Sequence, residues 1–267
     1  MLNHIQLLLE FQQSLLKKDN QMISKKIHYC WFGRNPLPKL TLMCIESWKK
    51  YLPDFEIIEW NEDNFDIDLF SFTKEAYEAK KYAFVSDVCR LYVLNKFGGI
   101  YLDTDMEILK PLDLLETKFI IGFEDINYVA AGIIFSTNEN HFLKVLLEKY
   151  KRINFNDYIN RLPDITIPKI ITDELISMGL VLNNKYQVLN NEIEVYPSEY
   201  FYPLNYFTGK KEITTKTIAI HHYDSSWMTS KQKKIYKIKT FLISIFGSKF
   251  ITYLITIVKS NVSKKSS

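Results

Sequence analysis

Residues 98–105 read Gly-Gly-Ile-Tyr-Leu-Asp-Thr-Asp, and this octet constrains the fold more than any other stretch of the chain. The glycine pair ends a helical pattern, as glycine does just past a helix C-terminus. An apolar triplet follows as a short buried strand. Two carboxylates two residues apart then stand where the pleat gives way to a loop, so both can turn toward one point. Open α/β sheets bind their ligands beyond the carboxyl ends of the strands. The octet therefore predicts an α/β fold with a polar site at the end of this strand.

The preceding sequence agrees. Lys-Ile-His-Tyr-Cys-Trp-Phe, 26–32, reads as a buried first strand ended by the loop Gly33–Pro36. Residues 41–51 read as a helix with Leu42, Ile45 and Trp48 on one face. Pro53-Asp54 is a turn and 55–60 a second strand, completing a strand–helix–strand unit with parallel pairing. Residues 74–97 read as mostly helical, with Ser86 opening a fresh helix and Asp87 in its first turn, where a carboxylate suits the dipole. Later strands are expected at 119–123, 131–136, 193–196 and 217–220, a helix at 141–150, and a loop at 163–168.

The chain has 267 residues, 47% apolar and 24% charged, enough for one sizeable core. Its net charge of +3 gives no reason to expect nucleic acid as a partner. The charge is unevenly placed: from Lys231 onward there are nine lysines and no acidic residue. Basic and apolar residues alternate there, the pattern of a segment lying on an anionic membrane surface or of a helix packed on the body. Three scattered cysteines without a Cys-x-x-Cys spacing point to a reducing, cytoplasmic setting. Residues 1–21 carry an apolar stripe at helical spacing and read as an amphipathic helix or extension. The expected division is thus 1–21, a catalytic domain over 22–230, and a basic tail over 231–267.

An Asp-x-Asp triplet alone is weak, because solvated turns produce it by chance. Asp66 and Asp68 form a second one, after a polar run, and read as surface. Asp103 and Asp105 differ in following a helix, a glycine pair and an apolar strand. Magnesium and manganese bind through one or two carboxylates plus substrate phosphates. A nucleoside diphosphate would bring the remaining oxygens, and the cation would neutralise charge on the leaving diphosphate.

Four ordered motifs carry a resemblance: KKIHYCWFG at 25–33, AFVSDVCRLYVLNKFGGIYLDTD at 83–105, AAGIIFS at 130–136 and AIHHYDSSW at 219–227. Together they resemble glycosyltransferase family 32, whose members include bacterial capsular and lipopolysaccharide sugar transferases and yeast outer-chain mannosyltransferases. The resemblance spans about residues 22–230. It implies a GT-A nucleotide-sugar-binding fold, with a mixed, mostly parallel sheet flanked by helices and followed by the amphipathic tail. It implies that Trp31 stacks on the nucleotide base, with a core tryptophan as the other reading. It implies that Asp87 and Arg90, three apart on one helix face, bind the donor sugar or phosphate, with an intrahelical ion pair as the alternative. Asp103 and Asp105 would serve metal and ribose, Gly33, Tyr82 and Gly132 would line the donor site, and Ser226 and Trp227 would contact the diphosphate. The small residues around Gly132 would let the sugar approach the backbone. A late histidine would complete the metal set. On a strand His221 and His222 point to opposite faces, and His221 is favoured. His28 reads as packed beside the first strand.

The resulting expectation is a retaining transfer of a hexose or N-acetylhexosamine, dependent on Mn2+ or Mg2+. The donor would be a UDP-sugar in preference to a GDP-sugar. The acceptor would be a cell-surface glycan, lipid-linked if the basic tail docks on a membrane, at the inner face of the cytoplasmic membrane. A metal-dependent nucleotide-diphosphate hydrolase and a non-catalytic membrane-docked binding protein are the alternatives.

Overall fold

The computed structural model describes residues 22–112, 117–205 and 209–224. The expected N-terminal helix, the basic tail, and Ser226 and Trp227 lie outside the described residues.

The chain alternates strands and helices around one seven-stranded sheet. Strand β1 (Lys26–Cys30) leads through helix α1 (Lys39–Tyr51) to the parallel strand β2 (Glu56–Trp60). Helices α2 (Ser71–Glu78) and α3 (Tyr82–Phe97) precede β3 (Gly99–Leu102). After β4 (Met106–Ile108) come β5 (Phe119–Phe123), β6 (Val129–Ser136) and α4 (His141–Lys151). Helix α5 (Ile167–Ser177), β7 (Gln187–Leu189), β8 (Ile193–Tyr196), the one-turn helix α6 (Ser198–Phe201) and β9 (Ala219–His221) complete the described elements.

The sheet order is β2-β1-β3-β6-β5-β8-β7. Strands β2, β1, β3, β5 and β8 run in one direction, and β6 and β7 oppose them. The sheet is therefore mixed and mostly parallel, as the resemblance implied. The carboxyl ends of β1, β3 and β5 meet one edge, and the start of the antiparallel β6 meets the same edge. Strand β6 is buried along its whole length, which explains its unbroken apolar run.

One apolar cluster packs α3, α4 and α5 on one face of the sheet. A second packs α1, α6 and the β4–β9 pair on the other. Helix α3 is buried on several sides and includes Asp87 and Arg90 among its buried residues. It ends at Gly98, whose φ of 63° is left-handed and whose N–H bonds Leu94 O at 2.8 Å. Gly99 follows at φ 109°, and a Cβ there would meet Lys26 O at 2.6 Å. The glycine pair thus lets β3 start against the β1 backbone.

Three expectations need correction. Helix α3 begins at Tyr82 rather than Ser86, so Asp87 lies in its second turn, buried, and not at a dipole end. Ser86 is no cap: its hydroxyl donates to Tyr82 O at 3.1 Å inside the helix. The segment 163–168 is not a loop. A 3-10 turn (Leu162–Ile165) leads into α5, whose second residue is Pro168. Proline fits a first helical turn because no intrahelical donor is needed there. The late strand covers Ala219–His221 instead of 217–220. Thr217 is occupied by its hydroxyl's bond to Glu199 O at 2.9 Å.

Candidate metal and donor site

The Asp-Thr-Asp triplet forms the turn between β3 and β4, closed by a bond from Met106 N to Asp103 O of 2.9 Å. Two anchors fix this turn. Trp48 of α1, fully buried, donates its indole N–H to Met106 O at 2.7 Å. Ile108 N donates to Ser47 Oγ at 3.0 Å. The amphipathic face of α1 therefore buttresses β4. Strand β4 in turn pairs antiparallel with β9, setting Met106 opposite His221. This pairing brings a histidine beside a carboxylate 116 positions earlier: His221 Nε2 lies 3.0 Å from Asp105 Oδ1. His222 turns to the other side and meets Glu107 Oε2 at 2.8 Å. The alternation of a strand separates the two imidazoles.

Asp105 is held from several directions. Its second carboxylate oxygen accepts the N–H of Asp224 at 2.9 Å, and its carbonyl accepts that of His222 at 3.0 Å. Burial alone would raise its carboxyl, but the neighbouring His221 and the backbone donors outweigh burial and hold it at about 2. Burial acts to lower the His221 imidazole, and Asp105 reverses the direction and raises it. Asp103 accepts from the Tyr101 hydroxyl at 3.0 Å and faces Arg90 Nη1 at 3.2 Å. Its backbone N–H bonds Gly132 O at 2.7 Å.

Arg90 joins the helix to the turn. It lies 3.1 Å from Asp87, donates to Ala131 O at 2.7 Å and stacks over the Tyr101 ring at 4.4 Å. Asp87 accepts from Ile167 N, the first residue of α5, at 3.4 Å. Burial raises the Asp87 carboxyl to about 7 against the pull of Arg90. The Asp87 and Arg90 side chains are only 10% and 6% exposed, against 27% for Asp103. The intrahelical ion pair is therefore formed, and Arg90 extends it to Asp103. This gives the pair a bracing geometry behind the carboxylates.

The fit to a divalent cation rests on the donor set. Among the described residues, Asp103, Asp105 and His221 offer ligand atoms that all lie within 4.8 Å of one another. The Nδ1 atom of His221 is buried without a hydrogen-bond partner. Two carboxylates and an imidazole suit manganese or magnesium, with open positions left for phosphate oxygens.

The other expected site residues separate into two groups. Gly132 lies against the turn: a Cβ there would meet Asp103 Oδ2 at 3.1 Å and Met106 Sδ at 3.4 Å. Gly132 thus leaves room for the Asp103 carboxylate. Trp31, Gly33 and Tyr82 lie at the carboxyl end of β1 and the start of α3. Trp31 is half-buried and donates its indole N–H to Asn35 O at 2.6 Å. The space of a Gly33 side chain is filled by the Tyr82 ring, 2.5 Å from where a Cβ would stand. His28 is fully buried between Gly98 O and Trp60 Nε1, at 2.9 and 3.1 Å.

Several contributors were missed. Glu62 accepts from Gly33 N at 2.6 Å and from the Tyr77 hydroxyl at 3.0 Å, fixing the β1 loop. Tyr101 and Tyr202 back the site, the latter accepting from Ile133 N at 3.0 Å. Tyr101 was legible, since it precedes Asp103 by two residues on one strand face. Glu62 and Tyr202 carry no local signal.

Residues 38–120 match the family described as glycosyltransferase sugar-binding region containing DXD motif. The Legionella pneumophila protein "Subversion of eukaryotic traffic protein A" is 26% identical over 47% of this chain and 24% of its own length. Mouse lactosylceramide 4-alpha-galactosyltransferase is 28% identical over 53% of this chain and 38% of its own. Inositol phosphoceramide mannosyltransferase 3 of Schizosaccharomyces pombe is 28% identical over 39% of this chain and 30% of its own. The chain thus spans well under half the length of these three relatives. The solved PaToxG glycosyltransferase shares the fold, with a TM-score of 0.50 at 20% identity over 64% of this chain and 75% of that one. Residues 38–120 thus match the DXD-containing sugar-binding region of glycosyltransferases, and the fold around them is of the GT-A type.

Proposed function

We propose that the protein transfers a hexose or N-acetylhexosamine from a nucleoside diphosphate sugar to a glycan acceptor, with a divalent cation bound by Asp103, Asp105 and His221. The convergence of these three residues at the carboxyl edge of the sheet carries the reading. When bound, Mn2+ or Mg2+ would neutralise charge developing on the leaving diphosphate. The protein's own residues do the positioning. Arg90 and Tyr101 orient Asp103, and the β4–β9 pairing orients His221 against Asp105. Trp31, at the end of β1, would stack on the base, and Asp87 with Arg90 would brace the donor side of the turn.

A UDP-sugar is favoured over a GDP-sugar, and the resemblance of the motifs favours retention of configuration. The acceptor is proposed to be a cell-surface glycan carried on a lipid. Two relatives are named for lipid acceptors, lactosylceramide and inositol phosphoceramide, which favours that choice. No described helix is long and apolar enough to cross a membrane. The lysine-rich residues 231–267 are proposed to hold the protein peripherally on the cytoplasmic face. Among the described residues a single three-ligand group is present, whereas hydrolases of the two-metal kind need further ligands.

The test is a screen of UDP- and GDP-sugars for nucleotide release in Mn2+, with Asp105→Ala as control. One donor is expected to turn over, and the variant to fall at least about 100-fold, since a cation on a leaving group contributes several kcal/mol. Equal rates in the two proteins would refute the proposal.

A further inference from the structure

Glu124 is a carboxylate at this edge that the cation site does not use. It follows the last residue of β5, a strand parallel to β3, so its backbone lies on the same edge as Asp103. The turn that begins there is rigid. Glu124 N bonds Tyr128 O at 2.9 Å, and Asp125 Oδ1 accepts the N–H groups of Asn127 and Tyr128 at 2.6 and 3.2 Å. The side chain is half-buried and within electrostatic reach of Tyr223, His221 and Asp103. Tyr223 is itself held in a left-handed conformation, φ 52°, with its ring 4.1 Å from that of His221.

Glu124 is nevertheless not in the group whose ligand atoms converge on one point. It is therefore not one of the three converging ligands. A cation that grips the diphosphate has the nucleoside on one side and the transferred sugar on the other; in the strand order β1-β3-β6-β5, with Trp31 at the end of β1 on the nucleoside side, Glu124 at the end of β5 lies on the sugar side. A carboxylate accepts hydrogen bonds only, and sugar hydroxyls are donors.

We infer that Glu124 binds hydroxyl groups of the transferred sugar and so helps select it, with Tyr223 positioning the carboxylate. This rests on reading the edge as a nucleotide-sugar site. Glu124→Gln keeps the shape and an acceptor for Tyr223 but loses the charge.

The experiment measures binding by calorimetry in Mn2+. Its probes are UDP, GDP, UDP-glucose, UDP-galactose, UDP-N-acetylglucosamine and GDP-mannose. In Glu124→Gln the affinity for the free nucleoside diphosphate should stay within twofold of wild type, which also reports that the variant is folded. Affinity for the sugar-bearing form that wild type prefers should fall at least tenfold, with a smaller fall in Tyr223→Phe. Equal weakening of both ligand classes would place Glu124 in the cation's environment and overturn the inference, as would no change in either. Failure of wild type to bind any nucleoside diphosphate would instead remove the donor site itself.

Discussion

His28 gives the stability of this fold a pH dependence that can be worked out from its two partners. Gly98 O can only accept, so the imidazole must present Nε2–H to it at 2.9 Å. Trp60 Nε1 can only donate, so Nδ1 must keep its lone pair toward it at 3.1 Å. The neutral tautomer satisfies both, and protonation would set two donors face to face. Burial lowers the imidazole from 6.5 to about 4. Above pH 6.5 the folded and unfolded chains are both neutral here, and His28 adds no slope. Below it the unfolded chain takes a proton that the folded chain refuses, so stability is lost until pH 4. Between pH 7.5 and 5 this amounts to about 2 kcal/mol, and to about 3 kcal/mol by pH 4. His28→Gln offers an amide donor and a carbonyl acceptor without titrating. Urea unfolding at steps from pH 7.5 to 5 should show wild type losing about 2 kcal/mol more than the variant, the acidic groups common to both cancelling. Parallel curves for the two proteins would refute the argument.

Two further substitutions probe the brace behind the carboxylates. Arg90→Lys keeps the charge, but one ammonium cannot span Asp87, Asp103 and Ala131 O; urea unfolding should show a loss of about 1.5–3 kcal/mol. Gly132→Ala sets a methyl 3.1 Å from Asp103 Oδ2, and calorimetry should show Mn2+ affinity falling about 10-fold with little change in unfolding.

What was legible in the sequence follows its periodicity. The β1–α1–β2 unit, the glycine pair and the buried run of β6 announce themselves through apolar spacing and backbone punctuation. Asp103 and Asp105 were found because the strand and helix before them are regular. The short pieces were not legible. Met106–Ile108 is three residues long, too short to show alternation, yet its pairing with β9 is what brings His221 to Asp105. Helix α5 was hidden by Pro168, which reads as a loop residue until its place in the first turn is known. Asp87 and Arg90 were found on one helix face, but sequence spacing could not show that they are buried or that Arg90 reaches Asp103. Glu62 and Tyr202 act across long separations, and nothing local marks them.

Cation and nucleotide should occupy one site together. Calorimetric titration of UDP and GDP, in Mn2+ and in EDTA, on wild type and Asp105→Asn, measures that coupling directly. One nucleotide should bind wild type at least about 10-fold more tightly with Mn2+ than without it, and the variant should lose this dependence. Equally tight binding to wild type in EDTA would contradict the assignment of Asp103, Asp105 and His221 as the cation's ligands.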